Sequence, residues 1–251
     1  MFKAIITLSI TALVATPALA QIGVRPLDTT PKESTPKENK KTVEVGEQAP
    51  AFELVDQNGK THTLQEYEGK IVVLEWFNET CPYCKGTWGS GLIPKLLTDL
   101  QEHKAEVVYL AVNSSANRPE DKTVESGKEF LEELEIEIPI LNDYNGKVGR
   151  AYKARTTPHM FVIDAEGILV YQGALSDDSR SKEGADADTH ILRVVTQIDA
   201  DEDVSPSYVQ PWGCPVKYAR DGDRGRGARD GKSGRGGRGG KGGRGNGSGP
   251  K

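Results

Sequence analysis

Residues 71–84 read IVVLEWFNETCPYC and join an apolar, β-branched run to a Cys-x-x-Cys pair. The run over residues 71–77 has the length and composition of a buried strand, so the two cysteines are expected where this strand ends and a helix begins. At a helix N-terminus, free backbone N–H groups and the positive end of the helix dipole stabilise a thiolate. The sequence therefore predicts that Cys81 is an exposed nucleophile and that Cys84, one turn further on, is its buried resolving partner.

The spacing of this pair is also that of half a zinc site or of a structural disulfide. A structural zinc site needs four ligands, and the rest of the chain offers only Cys214 and four scattered histidines, without a second closely spaced pair. We therefore interpret the pair as redox-active and expect no metal and no cofactor. An inert structural disulfide remains the main alternative.

The first twenty residues have the composition of a secretory signal peptide. A short positive start, residues 1–3, precedes an apolar stretch over residues 4–14 and a small-x-small cleavage site that ends at Ala20. The apolar stretch is short for a membrane span, although an uncleaved anchor is an alternative. We expect the mature chain to begin at Gln21 and to be periplasmic or secreted, where thiols and disulfides both occur.

Composition divides the remaining chain into three parts. Residues 21–44 are rich in Pro, Thr, Lys and Glu and are predicted to be a disordered linker. Residues 45–218 hold nearly all the β-branched and aromatic residues, enough for one domain with a core. Residues 219–251 form a Gly/Arg-rich tail, predicted to be disordered, with ten basic and three acidic side chains. This tail carries about +7, so the preceding chain carries about −12 of the net charge of −5.

Strand-like and helix-like segments alternate within residues 45–218. Strands are predicted at 52–55, 71–77, 107–112, 160–164 and 169–173, and helices at 124–134, 145–152 and 189–198. The segment from the cysteines to about Lys104 is predicted to be helical, with an irregular first half because it contains three glycines and Pro94. The alternation predicts an α/β fold in which helices flank a central mixed sheet.

Two later motifs accompany the Cys-x-x-Cys pair. Residues 156–164 read TTPHMFVID and residues 167–173 read GILVYQG, and the domain ends with GCPVKY at residues 213–218. With the strand that leads into CPYC, these motifs resemble the thioredoxin-fold redoxins, most closely the peroxiredoxin-like (AhpC/TSA-related) thioredoxin family of bacteria. The resemblance covers residues 45–218 and implies a thioredoxin-like fold.

The resemblance also implies roles for single residues. Pro158 matches the cis-proline that lies beside the reactive sulfur, and Thr157 would offer backbone groups to an extended substrate peptide. Glu75 matches the buried acid that helps to deprotonate the second cysteine; a charged residue on an edge strand is its alternative. Trp76 and Tyr83 are further substrate-binding candidates, although core packing is an equal interpretation of Trp76.

Cys214 leaves an odd number of cysteines in the chain. Its setting, PWGCP over residues 211–215, is rigid and aromatic, which favours a segment packed on the domain. A free thiol in such an extension, an intermolecular crosslink and a third redox cysteine that relays electrons to the Cys81–Cys84 pair all remain open.

The predicted function is an exported thiol–disulfide oxidoreductase that acts on cysteines of other proteins and receives electrons from an unidentified membrane or periplasmic donor. The reductase direction is preferred because the sequence resembles thioredoxin and not the oxidant with a helical insertion. A peroxiredoxin-like thiol peroxidase is the alternative. Neither Cys81 nor Cys84 has the preceding threonine and proline that this chemistry usually uses, and Arg155 is the remaining candidate to hold a peroxide.

The basic tail, residues 219–251, is a candidate binding module of its own. Arg-Gly-Gly repeats bind RNA in other proteins, yet this tail lacks the Phe or Tyr residues that would stack on bases, and an exported protein meets little RNA. We therefore expect no nucleic acid partner. Anionic lipid or polysaccharide is the expected partner, and a simple solvated tail is the alternative.

Overall fold

The structure is a computed structural model that describes residues 43–219. The predicted signal peptide, nearly all of the predicted linker and all but the first residue of the predicted tail lie outside these residues. Among the helices of the described part, none is long and apolar enough to cross a membrane.

The strands of this part of the chain are β1 (Glu53–Val55), β2 (Thr61–Thr63), β3 (Ile71–Trp76), β4 (Val107–Asn113), β5 (Ile140–Asn142), β6 (Thr156–Thr157), β7 (Met160–Ile163), β8 (Leu169–Gly173), β9 (Tyr208–Val209) and β10 (Cys214–Pro215). The α-helices are α1 (Pro82–Gly89), α2 (Leu92–Gln101), α3 (Glu120–Glu133), α4 (Lys147–Ala151) and α5 (His190–Asp199). Short 3₁₀ helices lie at Leu64–Tyr67 and Gly184–Asp186.

The main sheet has eight strands in the order β2-β1-β5-β4-β3-β7-β8-β9. The strands β3, β4 and β5 are parallel to one another, whereas β7 is antiparallel to both β3 and β8. A separate antiparallel pair joins β10 to β6. The predicted α/β fold with a central mixed sheet flanked by helices is confirmed.

Strand β3 is buried on both faces, as its continuous apolar run predicts. Because side chains alternate along a strand, Val73 and Glu75 point to one face and Leu74 and Trp76 point to the other. The first face, here called the cysteine face, packs against α1, α2, α3 and α5 and contains both cysteines of the pair. The opposite face packs against α4 and residues 43–54.

The segment after the cysteines forms two helices instead of one irregular helix. Helix α1 ends at Gly89 and α2 begins at Leu92. Between them Gly91 has φ +88, a left-handed conformation that favours glycine. Pro94 lies in the first turn of α2, where its missing N–H removes no helical hydrogen bond.

Five short strands, β2, β5, β6, β9 and β10, were not predicted; none is longer than three residues, which is too short to show an alternating pattern. Strands β9 and β10 belong to a segment that we call the C-terminal arm, residues 208–219. Strand β9 runs parallel to β8, and β10 pairs antiparallel with β6. The arm continues beyond β10, where the Val216 N–H donates to the Arg155 carbonyl oxygen at 3.0 Å.

Candidate active site

Cys81 lies at the junction between the central strand and α1, as the sequence predicts. It is the N-cap residue of α1, and Pro82 occupies the first helical position, where a free N–H is not needed. A short loop connects β3 to this position. Its Asn78 side chain accepts hydrogen bonds from the Thr80 N–H at 2.8 Å and from the Thr80 hydroxyl at 2.6 Å, which fixes the approach to the helix.

The environment of Cys81 stabilises its thiolate. The pKa of Cys81 is lowered to about 4, and the hydrogen bond from the Cys84 thiol contributes most to this shift. Thr157 and the Cys214 thiol also lower the pKa, whereas burial acts in the opposite direction. At neutral pH the reduced protein therefore carries a thiolate at Cys81.

Cys84 has the opposite character. It is fully buried in the first turn of α1. Burial raises its pKa well above the ordinary value, and the hydrogen bond to Cys81 and the charge of Glu75 raise it further. The pair thus consists of one ionised sulfur and one protonated sulfur at the head of a single helix.

Glu75 is fully buried beneath the pair, on the cysteine face of β3. Its carboxylate accepts hydrogen bonds from the Tyr109 hydroxyl at 2.7 Å and from Trp88 Nε1 at 3.3 Å. Burial raises the pKa of Glu75 to about 7, although both hydrogen bonds act to lower it. Because β3 is the central strand, the alternative that Glu75 points outward from an edge strand is wrong.

Tyr109 and Trp88 were not predicted as partners of Glu75. Tyr109 lies on β4 between aliphatic residues, and its hydroxyl reaches the carboxylate. The signal in the sequence is a tyrosine within an aliphatic run, on the strand that follows the strand of the buried acid. Such a residue brings a polar group into a core only where a partner is available.

The prediction that Cys81 is exposed is wrong. The residue is only 3% exposed, because the C-terminal arm lies over it. Trp212 and Cys214 of the arm pack against the hydrophobic cluster that contains Cys81. Trp212 is fixed there by a hydrogen bond from its Nε1 to the Ser176 carbonyl oxygen at 2.7 Å.

Trp76 does not form part of a substrate groove, and this prediction is also wrong. It follows Glu75 by one residue and therefore points to the opposite face, where it is fully buried. Its ring packs against Tyr152 and Phe161, and its Nε1 donates to the Ser114 hydroxyl at 3.0 Å. Trp76 is therefore a core residue, as the second interpretation of this residue predicts.

Tyr83, by contrast, lies at the surface beside the site. It is 40% exposed, and its ring centroid is 6.0 Å from that of Trp212. Arg155 is the candidate to hold a peroxide. Its guanidinium donates a hydrogen bond to the Tyr208 hydroxyl of the C-terminal arm at 2.9 Å.

The peptide bond between Thr157 and Pro158 is cis, as the resemblance implies. The Thr157 carbonyl oxygen lies 3.0 Å from the Cys81 sulfur. The backbone of Thr157 pairs with Cys214 in the β6–β10 ladder, and Gly213 approaches it closely. Gly213 has φ +132, and a Cβ atom there would lie 2.3 Å from the Thr157 oxygen, so the arm needs glycine at this position.

Comparison with known proteins agrees with this fold. Residues 45–172 match the AhpC/TSA family. The chain belongs to the AhpC/TSA family. Thiol-disulfide oxidoreductase ResA of Halalkalibacterium halodurans is 31% identical over 141 residues, which cover 55% of this chain and 74% of the relative. The protein of the same name from Bacillus thuringiensis is 27% identical over 135 residues, which cover 53% of this chain and 71% of that relative.

Among solved structures, an uncharacterised conserved protein from Geobacillus kaustophilus is similar, with a TM-score of 0.61 and 29% identity. The match covers 70% of this chain and 93% of that protein. Together, the family and the relatives make this chain a thioredoxin-like thiol–disulfide oxidoreductase.

Proposed function

We propose that this chain is an exported enzyme that exchanges disulfides with protein substrates through Cys81 and Cys84, in the reductase direction. The observation that carries the proposal is the opposite shift of the two cysteine pKa values at the head of α1. The sulfur of Cys81 is a thiolate at neutral pH, whereas Cys84 keeps its proton. This arrangement provides a nucleophile and a resolving thiol within one helical turn.

In the first step, the Cys81 thiolate attacks one sulfur of a substrate disulfide. A bond forms between Cys81 and that sulfur, the substrate disulfide breaks, and the other substrate sulfur leaves as a thiolate. Cys81 has then lost its charge. Its hydrogen bond and its negative charge no longer raise the pKa of Cys84, so the resolving thiol becomes easier to deprotonate.

Glu75 is the proton acceptor for the second step. Its pKa near 7 makes it partly ionised at neutral pH, and its charge acts on Cys84. When Cys84 has lost its proton, it attacks the Cys81 sulfur, forms the Cys81–Cys84 disulfide and releases the reduced substrate. An electron donor then reduces the pair and completes the cycle.

The substrate binds as an extended peptide beside the pair once the C-terminal arm, which pairs with Thr157 in this structure, has left that edge. The backbone of Thr157 and the neighbouring Pro158 form the edge against which it lies, and the exposed ring of Tyr83 forms part of the rim. Residues 45–218 act as the catalytic domain. Residues 1–20 direct the export of the chain. The tail, residues 219–251, contacts anionic lipid or polysaccharide.

The test uses the mature chain, residues 21–251, with insulin as the disulfide substrate and dithiothreitol as the electron donor. We expect wild type to turn over, Cys84→Ser/Cys214→Ser, in which neither neighbouring thiol can release the substrate from Cys81, to accumulate a mixed disulfide with insulin, and Cys81→Ser to do neither. Non-reducing electrophoresis and mass spectrometry identify the trapped species. Turnover by Cys81→Ser, or trapping through Cys84 in that variant, would contradict the assigned roles.

The direction of electron flow is tested separately by the reduction potential of the pair. A reductase is expected at about −270 mV and an oxidase at about −120 mV, a difference of about 7 kcal/mol for two electrons. Equilibration of the wild-type pair with glutathione or dithiothreitol buffers measures this value. A potential near the value of the oxidase would overturn the reductase direction without affecting the roles of the two cysteines.

A further inference from the structure

The C-terminal arm occupies the edge that the proposed function assigns to a substrate peptide. Its strand β10 lies antiparallel to β6, and Cys214 is directly opposite Thr157 in this ladder. An extended substrate that paired with Thr157 would place one of its own residues at the same position. The residue that stands there in this chain is a cysteine.

The side chain of Cys214 reaches the reactive sulfur. Cys214 and Cys81 share a hydrogen bond, which lowers the pKa of Cys81 and raises that of Cys214. The carbonyl oxygen of Thr157, opposite Cys214 in the ladder, lies 3.0 Å from the Cys81 sulfur. All three cysteines of the chain therefore meet at one point, although Cys214 is separated from the pair by about 130 residues of sequence.

The arm is held on both sides of Cys214. Before it, Trp212 donates to the Ser176 carbonyl oxygen at 2.7 Å and its ring lies beside Tyr83. After it, the Val216 N–H donates to the carbonyl oxygen of Arg155 at 3.0 Å, and the carbonyl oxygen of Lys217 accepts a hydrogen bond from the Ala116 N–H at 2.7 Å. These contacts fix the thiol beside Cys81, so its effective concentration there is far above that of a free thiol.

We propose that Cys214 is a third redox-active cysteine, and that the C-terminal arm holds it in the place of a substrate cysteine so that it exchanges directly with Cys81. This inference rests on the proposed role of Cys81 as the nucleophile. Starting from the Cys81–Cys84 disulfide, the Cys214 sulfur attacks Cys81. The Cys81–Cys214 bond forms, the Cys81–Cys84 bond breaks, and Cys84 takes up the proton that Cys214 loses. Cys214 is oxidised as Cys84 is reduced, so the exchange balances and needs no further oxidant.

The charge on Cys81 regulates this exchange. In the reduced protein the pKa of Cys214 is raised to about 11, first by burial and then by the hydrogen bond to Cys81 and by its negative charge. When Cys81 enters a disulfide, the last two contributions disappear, and burial, which raises the pKa, and the charge of Lys217, which lowers it, remain. Cys214 therefore becomes a better nucleophile at the moment when Cys81 becomes an electrophile.

The proposal is tested in the mature chain with Cys84→Ser, which leaves Cys81 and Cys214 as the two thiols. Oxidised glutathione is the probe. The Cys81 thiolate attacks it and forms a glutathione adduct, and Cys214 then attacks Cys81 and releases glutathione. We expect the product to lack glutathione and to be a monomer in which a disulfide joins the tryptic peptides 71–85 and 194–217. Intact mass and non-reducing peptide mapping identify it.

Two matched variants show whether the bond depends on the position of Cys214 in the C-terminal arm or only on the reactivity of its thiol. In Cys84→Ser/Cys214→Ser, the glutathione adduct should persist on Cys81. In Cys84→Ser/Gly213→Ala, the added Cβ opposes the pairing of the arm with Thr157, and closure of the Cys81–Cys214 bond should slow about 10- to 100-fold. Cys84→Ala replaces Cys84→Ser if the serine variant fails to fold.

A persistent glutathione adduct in Cys84→Ser, with Cys214 still a free thiol, would overturn the proposal. A disulfide-linked dimer through Cys214, or closure at an unchanged rate in the Gly213→Ala variant, would overturn the assigned geometry. Failure of the proposed function is recognised independently, since wild type would then not reduce insulin and Cys81 would not form the glutathione adduct at all.

Discussion

Two carboxylates are buried on opposite faces of the central sheet, and they have different partners. Asp143, beside α4 on the opposite face, accepts hydrogen bonds from the Ser114 hydroxyl at 2.6 Å and from the N–H groups of Gly149 at 2.8 Å and Val148 at 3.1 Å. Glu75, on the cysteine face, accepts only from Tyr109 and Trp88 among the described residues. Burial raises the pKa of both, to about 7 for Glu75.

The difference separates a structural acid, Asp143, from the proposed proton acceptor, Glu75. Asp143 holds the start of α4, and each of its donors favours the ionised form. Glu75 has fewer donors and faces the negative charge of Cys81, which makes its proton easy to gain near neutral pH. Burial alone therefore does not identify a functional acid; the number and kind of its donors distinguish the two cases.

The largest effect is expected from Asp143→Ala. The substitution leaves two backbone N–H groups and one hydroxyl buried without their acceptor, and the free energy of unfolding should fall by roughly 3–5 kcal/mol. Turnover per folded molecule should not change. Chemical denaturation and insulin reduction measure the two quantities. Asp143→Asn is the matched variant, because it keeps one acceptor oxygen and should lose less stability. Loss of turnover in a folded Asp143 variant would break the comparison.

Glu75→Gln should change how stability depends on pH. The carboxyl pKa is 4.5 in the unfolded chain and about 7 in the folded one, so the unfolded state alone ionises between these values. The contribution of Glu75 to wild-type stability therefore falls as pH rises from 4.5 to 7, and the loss of this contribution is complete above 7. Relative to wild type, the Gln variant should gain about 3 kcal/mol across this window. Denaturation at a series of pH values measures the difference, and a difference independent of pH would contradict a raised pKa.

Glu75→Gln should also slow turnover by roughly 10²-fold or less, because the variant lacks the proposed proton acceptor for Cys84. In wild type the rate should rise with pH through a step near pH 7 that the variant lacks. Tyr109→Phe sharpens this prediction. It removes a hydrogen bond that lowers the pKa of Glu75, so the step should move to higher pH. Identical pH–rate profiles in all three proteins would exclude Glu75 as the acceptor.

The smallest effect is expected from removing residues 220–251. Their Gly/Arg-rich sequence holds few groups that contribute to a packed core, so stability and insulin reduction should stay at the wild-type values. The truncated protein should, however, lose binding to vesicles that contain anionic lipid. Vesicle sedimentation measures the binding, and unchanged sedimentation would remove the proposed role of the tail on such membranes.

The strand and helix around Cys81 were predictable because local patterns determine them. A largely apolar run that begins with three β-branched residues, and a proline after the N-cap, are visible in the sequence, and both occur in the structure. The burial of Cys81 was not predictable, because it depends on the C-terminal arm. This arm pairs with Thr157 through Cys214, which lies 57 residues further along the chain. Trp76 was misplaced because aromatic character alone does not indicate a face, whereas the alternation from Glu75 does.

The central claim is that Cys81 is a thiolate while Cys84 remains a thiol, and the titration of the reduced protein tests it most directly. The difference in ultraviolet thiolate absorbance between wild type and Cys81→Ser, recorded as a function of pH, isolates the signal of Cys81. We expect this difference to be half-maximal near pH 4. A half-maximum near about pH 8.5, the value of an ordinary cysteine, would contradict the account.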